Sequence, residues 1–179
     1  MDWKQSTHTI AENLLGSKLC RGIKTKSGIK TICATIYEVE IYDGHDDKAS
    51  HASRGETART KIMFGPAGFW YVYLIYGMYY MLNLVTREAG YPAAILIRGV
   101  LLEDGTKLNG PGKVTKWLNI DKKLNEKKAS KSSGLWIKWR KGKLAGGANS
   151  IERTARIGID YAGEKWKNLP LRYLYNPRI

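Results

Sequence analysis

Glu38, Glu40 and Tyr42 alternate with Val39 and Ile41 in a strand-like run. Two carboxylates and a phenol therefore share one face, and two aliphatic side chains take the other. A carboxylate on a buried face is costly unless a cation accompanies it. Arg98 interrupts the otherwise apolar run from Tyr91 to Leu102 and calls for such a partner. A carboxylate kept ionised beside an arginine suits the orientation and deprotonation of water, and Glu40 is the candidate base. His51 lies in a polar loop, and the segment Phe69–Asn83 is dense in tyrosine. Enzymes that act on a nucleobase need this inventory: π-faces to hold an extruded base, a wedge to fill the gap, and a base for water. Tyr42 and Tyr73 fit the walls and Tyr76 fits the wedge. Hydrolysis of an N-glycosidic bond by this set calls for no metal and no cofactor.

Other chemistries lack their signatures. Gly110-Pro-Gly-Lys113-Val-Thr115 has the wrong glycine spacing for a phosphate loop and reads as a capped helix start whose free N–H groups can meet a phosphate. His45, Asp46, Asp47 and His51 offer metal-ligand atoms, but neither HExxH nor HxE with CxxC is present. GxSxG and GxGxxG are also missing. Cys20 and Cys33 lack CxxC spacing and flank a turn near Lys26-Ser27-Gly28; reduced, packed thiols are expected.

The elements that must hold these residues follow from pattern. Thr9-Ile-Ala-Glu12 reads as a capping box opening a short helix that Gly16 stops. Lys18–Ile23 and Lys30–Tyr42 read as antiparallel strands, and residues 43–68 as a polar loop with a helical turn. In the next hairpin Tyr71 and Tyr73 share a face, Val72 and Leu74 back it, and Tyr76 sits at the tip before Gly77. Residues 110–120 read as a helix and 121–131 as a lysine-rich solvated loop, with nucleic-acid contact as the alternative. Trp136–Trp139, Ala155–Tyr161 and Pro170–Tyr175 read as closing strands.

A chain of 179 residues is long enough for one domain spanning residues 1–179. Thirty Lys and Arg against 16 Asp and Glu give a net charge of +14, which favours a polyanionic partner, nucleic acid first. The apolar runs are short and carry Tyr or Asn, so no membrane span or signal peptide is expected. An intracellular protein, cytoplasmic or nucleoid-associated (nuclear in a eukaryote), is the expectation. One wedge needs one subunit, so a monomer is expected. Two competing classes are a non-catalytic binder of distorted DNA and an RNA-directed protein that stacks single strands.

The ordered set of Glu38-Val-Glu-Ile-Tyr42, Ala49-Ser-His51 with Ser53-Arg-Gly55, Met63-Phe64, Tyr71-Val-Tyr-Leu-Ile-Tyr-Gly-Met78 with Asn83, Ile95-Leu-Ile-Arg98, Gly110-Pro-Gly-Lys113 and Ala155-Arg-Ile-Gly158 resembles the alkyladenine (3-methyladenine) DNA glycosylases of the mammalian type. The resemblance implies a mixed α/β (α+β) domain with a curved antiparallel sheet, surrounding helices and a protruding hairpin that inserts into DNA. It implies a base-excision-repair enzyme that flips alkylated purines from duplex DNA and leaves an abasic site without strand cleavage. The implied substrates are 3-methyladenine and 7-methylguanine, with hypoxanthine and ethenoadenine as further candidates. By the same likeness Glu40 is the general base, and Arg98 with the Ile157 carbonyl holds the water. Tyr42 and Tyr73 stack on the base, His51 meets its edge, Asn83 gates against the guanine amine, and Tyr76 with Met78 intercalates. The chain is similar to the shorter bacterial members, which lack the long amino-terminal arm, and the likeness thins over Lys122–Gly147.

Overall fold

A computed structural model describes residues 2–3 and 5–176. In chain order the elements are α1 (Thr7–Leu14), β1 (Lys18–Thr25), β2 (Gly28–Asp43), β3 (Trp70–Ile75), β4 (Tyr79–Val85), β5 (Ala93–Leu101), β6 (Lys107–Asn109), α2 (Pro111–Trp117), β7 (Leu135–Lys138), β8 (Ile151–Thr154), α3 (Glu164–Lys167) and β9 (Arg172–Tyr175). This is a mixed α/β architecture of few helices on one large antiparallel sheet, as expected.

The sheet runs β3-β4-β5-β2-β1-β7, with β6 added to β5, and with β9 on β2 carrying β8. β2 is the spine, a 16-residue strand that β5 flanks on one side. Its other side pairs first with β1 and then with β9. Register shifts around Glu38 mark a β-bulge where the flanking partner changes. A bulge adds local twist and re-aims side chains. The sheet curls without closing: the Trp70 indole N–H of β3 donates to the Leu135 carbonyl of β7 at 3.0 Å, which joins opposite ends of the strand order. Ile10, Leu14, Ile36, Val39, Ile41, Trp70, Leu82, Leu84, Ile95 and Ile97 fill the concavity between α1, α2 and the sheet. Among the described residues no helix is long and apolar enough to cross a membrane.

Four local expectations are corrected. α1 is capped by Ser6, whose hydroxyl accepts from the Thr9 N–H at 3.2 Å, so the helix starts before the predicted Thr9–Glu12 box. α2 ends at Trp117 instead of reaching Ile120. Residues 155–161 are a loop and a 3-10 turn instead of a strand, because the Arg156 guanidinium turns inward and Gly158 takes φ +76°. Cys20 and Cys33 are joined in a disulfide instead of being reduced, since β1 and β2 place them directly opposite at a Cα separation of 4.1 Å.

Candidate active site

β2 carries Glu38, Glu40 and Tyr42; Tyr42 lines a pocket, and Glu40 lies behind it, bonded to its hydroxyl. Both carboxylates are buried. Arg98, from the facing strand β5, sets its Nε 3.1 Å from Glu38 and 3.5 Å from Glu40. No hydrogen bond aligns there, so its hold on the pair is Coulombic. Arg172 of β9 donates to Glu38 at 2.7 Å. Glu38 thus carries most of the cationic company, while Glu40 shares Arg98 and accepts from the Ile157 N–H at 2.9 Å and the Tyr42 hydroxyl at 3.1 Å. Burial pushes the Glu40 carboxyl above its ordinary value, and Arg98, the Ile157 amide and Tyr42 pull back against that rise.

The pocket beside Glu40 has a volume of about 330 Å³, part of it open to solvent. Tyr42, His51, Tyr71, Tyr73, Asn83 and Tyr161 are among its lining. The Tyr73 and His51 rings meet edge to face at 4.6 Å between centroids. His51 Nδ1 is 3.0 Å from the Tyr71 hydroxyl, and the Arg59 guanidinium carbon lies 5.0 Å from the centroid of the Tyr73 ring. Burial, then Arg59 and Arg54, hold His51 down to about 4, which keeps the ring neutral near pH 7. Asn83 is buried and donates to the Tyr71 carbonyl at 3.2 Å. A larger cleft of about 1270 Å³ lies against β1 and β7, but no carboxylate lines it.

The hairpin of β3 and β4 projects from this pocket. Tyr76 and Gly77 have φ of +52° and +66°, and the Met78 N–H returns to the Ile75 carbonyl at 3.1 Å. Two positive-φ central residues define a type I′ turn, the geometry that follows strand twist. At the tip Tyr76 is 82% exposed and Met78 68%, an unusual placement for such side chains. Lys113 and Lys116 on α2 lie beyond β4, where the Thr115 hydroxyl donates to the Tyr80 carbonyl. The lysine-rich segment runs along the outer edge of β3: Trp70 N–H donates to Lys127, Glu126 N–H to Trp70, and Val72 N–H to the Asn125 side chain. It is bonded edge cover, not a free loop.

The structure therefore brings Glu40, Arg98, Tyr42, His51, Tyr73, Asn83 and Ile157 together, and sets Tyr76 and Met78 apart on the tip. Three contributors escaped the sequence reading. Tyr71 lies on the Tyr73 face, so the strand period already marked its direction. Tyr161 comes from a turn misread as strand, and its hydroxyl donates to the Ala49 carbonyl at 3.0 Å. Asp47, considered only as a metal ligand, instead forms a buried two-pronged pair with Arg156.

Comparison with known proteins identifies the family. The methylpurine-DNA glycosylase family model matches residues 1–178. A Sodalis glossinidius protein named "Putative 3-methyladenine DNA glycosylase" is 48% identical over 173 residues, covering 92% of this chain and 91% of its own length. A Rickettsia conorii protein of the same name is 44% identical over 166 residues, covering 91% and 84%. With a match that spans nearly every residue, the chain belongs to the methylpurine-DNA glycosylase family and is a DNA glycosylase, a repair enzyme whose substrate is DNA.

Proposed function

We propose that the chain acts as a single-domain monomer that extrudes an alkylated purine from duplex DNA and hydrolyses its N-glycosidic bond. Tyr76 and Met78 enter the stack as the nucleotide leaves, which partly offsets an unstacking cost of a few kcal/mol. The base then lies between Tyr42 and Tyr73. His51 meets its edge, and the buried Asn83 amide disfavours the exocyclic amine of normal guanine. Electron-rich ring faces favour the cationic nucleosides of 3-methyladenine and 7-methylguanine. Hypoxanthine and ethenoadenine, which are neutral, are poorer leaving groups at the same site.

Arg98 and the Ile157 carbonyl orient a water against C1′. As its oxygen bonds to C1′, its proton passes to Glu40. The C1′–N bond breaks with its electron pair moving to the base, which cancels the positive charge of an alkylated purine. The products are a free base and an abasic site in an uncut strand. The observation that carries this reading is the buried Glu40 carboxylate, bonded to Ile157 and Tyr42 beside Arg98 at an aromatic pocket. Release of free 3-methyladenine from methylated duplex, measured with a chelator present, tests it. Wild type is expected to release base, and Glu40→Gln is expected to bind lesion DNA while losing most turnover. Tight lesion binding without release by wild type would instead identify a damage-binding protein.

A further inference from the structure

Arg156 and Asp47 are 109 residues apart in sequence and are nearly removed from solvent. Arg156 Nη1 donates to Asp47 Oδ2 at 2.6 Å and Nη2 donates to Oδ1 at 2.8 Å. Nη1 also reaches the Ile41 carbonyl at 2.8 Å. Asp47 accepts in addition from the Ala49 N–H at 3.1 Å and the Asp43 N–H at 3.3 Å. One ion pair thus ties the end of β2, the loop leading to His51, and the loop carrying Ile157. The guanidinium carbon lies 4.8 Å from the centroid of the Tyr42 ring, within cation–π range.

This pair is more than scaffold, because of what lies at its ends. Asp47 is followed by Ala49, Ser50 and His51, which line the pocket. Arg156 is followed by Ile157, whose N–H holds Glu40. A lone interior ion pair is weak evidence for stability, since its desolvation cost offsets its attraction. A planar fork met by a carboxylate fixes orientation instead. We propose that the Asp47–Arg156 pair is a positioning device that sets the Tyr42 ring and delivers the Ile157 N–H to Glu40. The inference rests on Glu40 acting as the base.

The groups facing Glu40 are Glu38 and Tyr42 on β2, Arg98 on β5, Tyr73 on β3, and Tyr161 on the turn at 160–162. Arg172 on β9 acts through Glu38. Arg156→Lys alters none of these and keeps the positive charge, but it loses the fork. The lost or lengthened Ile157 bond leaves the Glu40 anion less stabilised. Its carboxyl then titrates higher, by about one pH unit for a hydrogen bond to a charged group.

The deciding experiment is a carbon-13 carboxyl titration of Glu40 in DNA-free wild type, Arg156→Lys and Asp47→Asn, with thermal melts to show that each is folded. The expected result is an upward shift in either folded variant. Single-turnover excision should fall on the order of 10- to 100-fold, the scale of small misplacements, with little change in Kd for lesion duplex. A folded variant whose Glu40 titrates as in wild type overturns the proposal. Failure of both variants to fold also overturns it, because the pair would then be a stability element. Were wild type to release no base, the functional reading would fail while the Glu40 titration still judged the positioning.

Discussion

His51 has a particular electrical state as well as a position. Between Tyr71 and Tyr73, and with Arg54 and Arg59 nearby, it stays neutral down to about 4, well below the ordinary imidazole value. The folded protein therefore resists a proton that the unfolded chain accepts near pH 6.5. Stability at His51 is fully present above that unfolded value and is lost as pH falls from about 6.5 toward 4. Replacing His51 by Gln is expected to flatten this part of a stability-against-pH curve, measured by urea unfolding across the range. An unchanged curve would mean that the ring is not held neutral. Much of the residue-scale chemistry was legible because β2 and β3 obey the strand period: Glu38, Glu40 and Tyr42 had to share a face, and so did Tyr71 and Tyr73. The Asp47–Arg156 pair was not legible, because only the folded chain joins two loops 109 residues apart.

At the scale of elements, the hairpin tip holds a local conflict. Tyr76 occupies a positive-φ position that costs an ordinary L-residue about 1–2 kcal/mol and that Asn or Gly fills readily. The neighbouring Gly77 already meets the turn's demand, so Tyr76 is the residue retained against preference. Such strain belongs at positions where the side chain serves a function. Tyr76→Asn would give the favoured Asn-Gly turn. A rise in melting temperature of about 2–4 °C is expected for each kcal/mol of strain relieved, together with weaker discrimination of lesion from normal duplex. A gain in stability without loss of discrimination would remove Tyr76 from the DNA step. The hairpin was readable from its glycine and alternation. The strand expected over 155–161 failed for an instructive reason: Ile157, Ile159 and Tyr161 alternate like strand residues, yet Arg156 between them is buried in an ion pair. The disulfide left a usable signal, since Cys20 and Cys33 are equidistant from the Lys26-Ser27 turn and so fall opposite each other once β1 and β2 pair.

For the whole molecule, the +14 charge and the curved sheet act together. A basic protein gathers nonspecifically on DNA, and the projecting hairpin then samples the duplex it rests on. That arrangement carries a hazard. β3 reads Trp-Tyr-Val-Tyr-Leu-Ile, six residues of high β-propensity with neither charge nor proline, and β3 stands at the end of the strand order. Such a segment with a bare edge is a template for cross-β assembly. The lysine-rich stretch closes it: main-chain bonds from Lys127, Glu126 and Ala129 and the Asn125 side chain occupy the edge from Gly68 to Val72, and Lys122, Lys123, Lys127 and Lys128 surround it with exposed positive charge. Replacing Asn125 by Leu and these four lysines by Gln should yield a protein that scatters light and binds thioflavin T at concentrations where wild type stays clear. If it remained as clear as wild type, the stretch would not be guarding the edge. With its edge so covered, an adhesive strand can be displayed toward DNA by way of a segment that looks like expendable surface, as a sheath allows a blade to be carried.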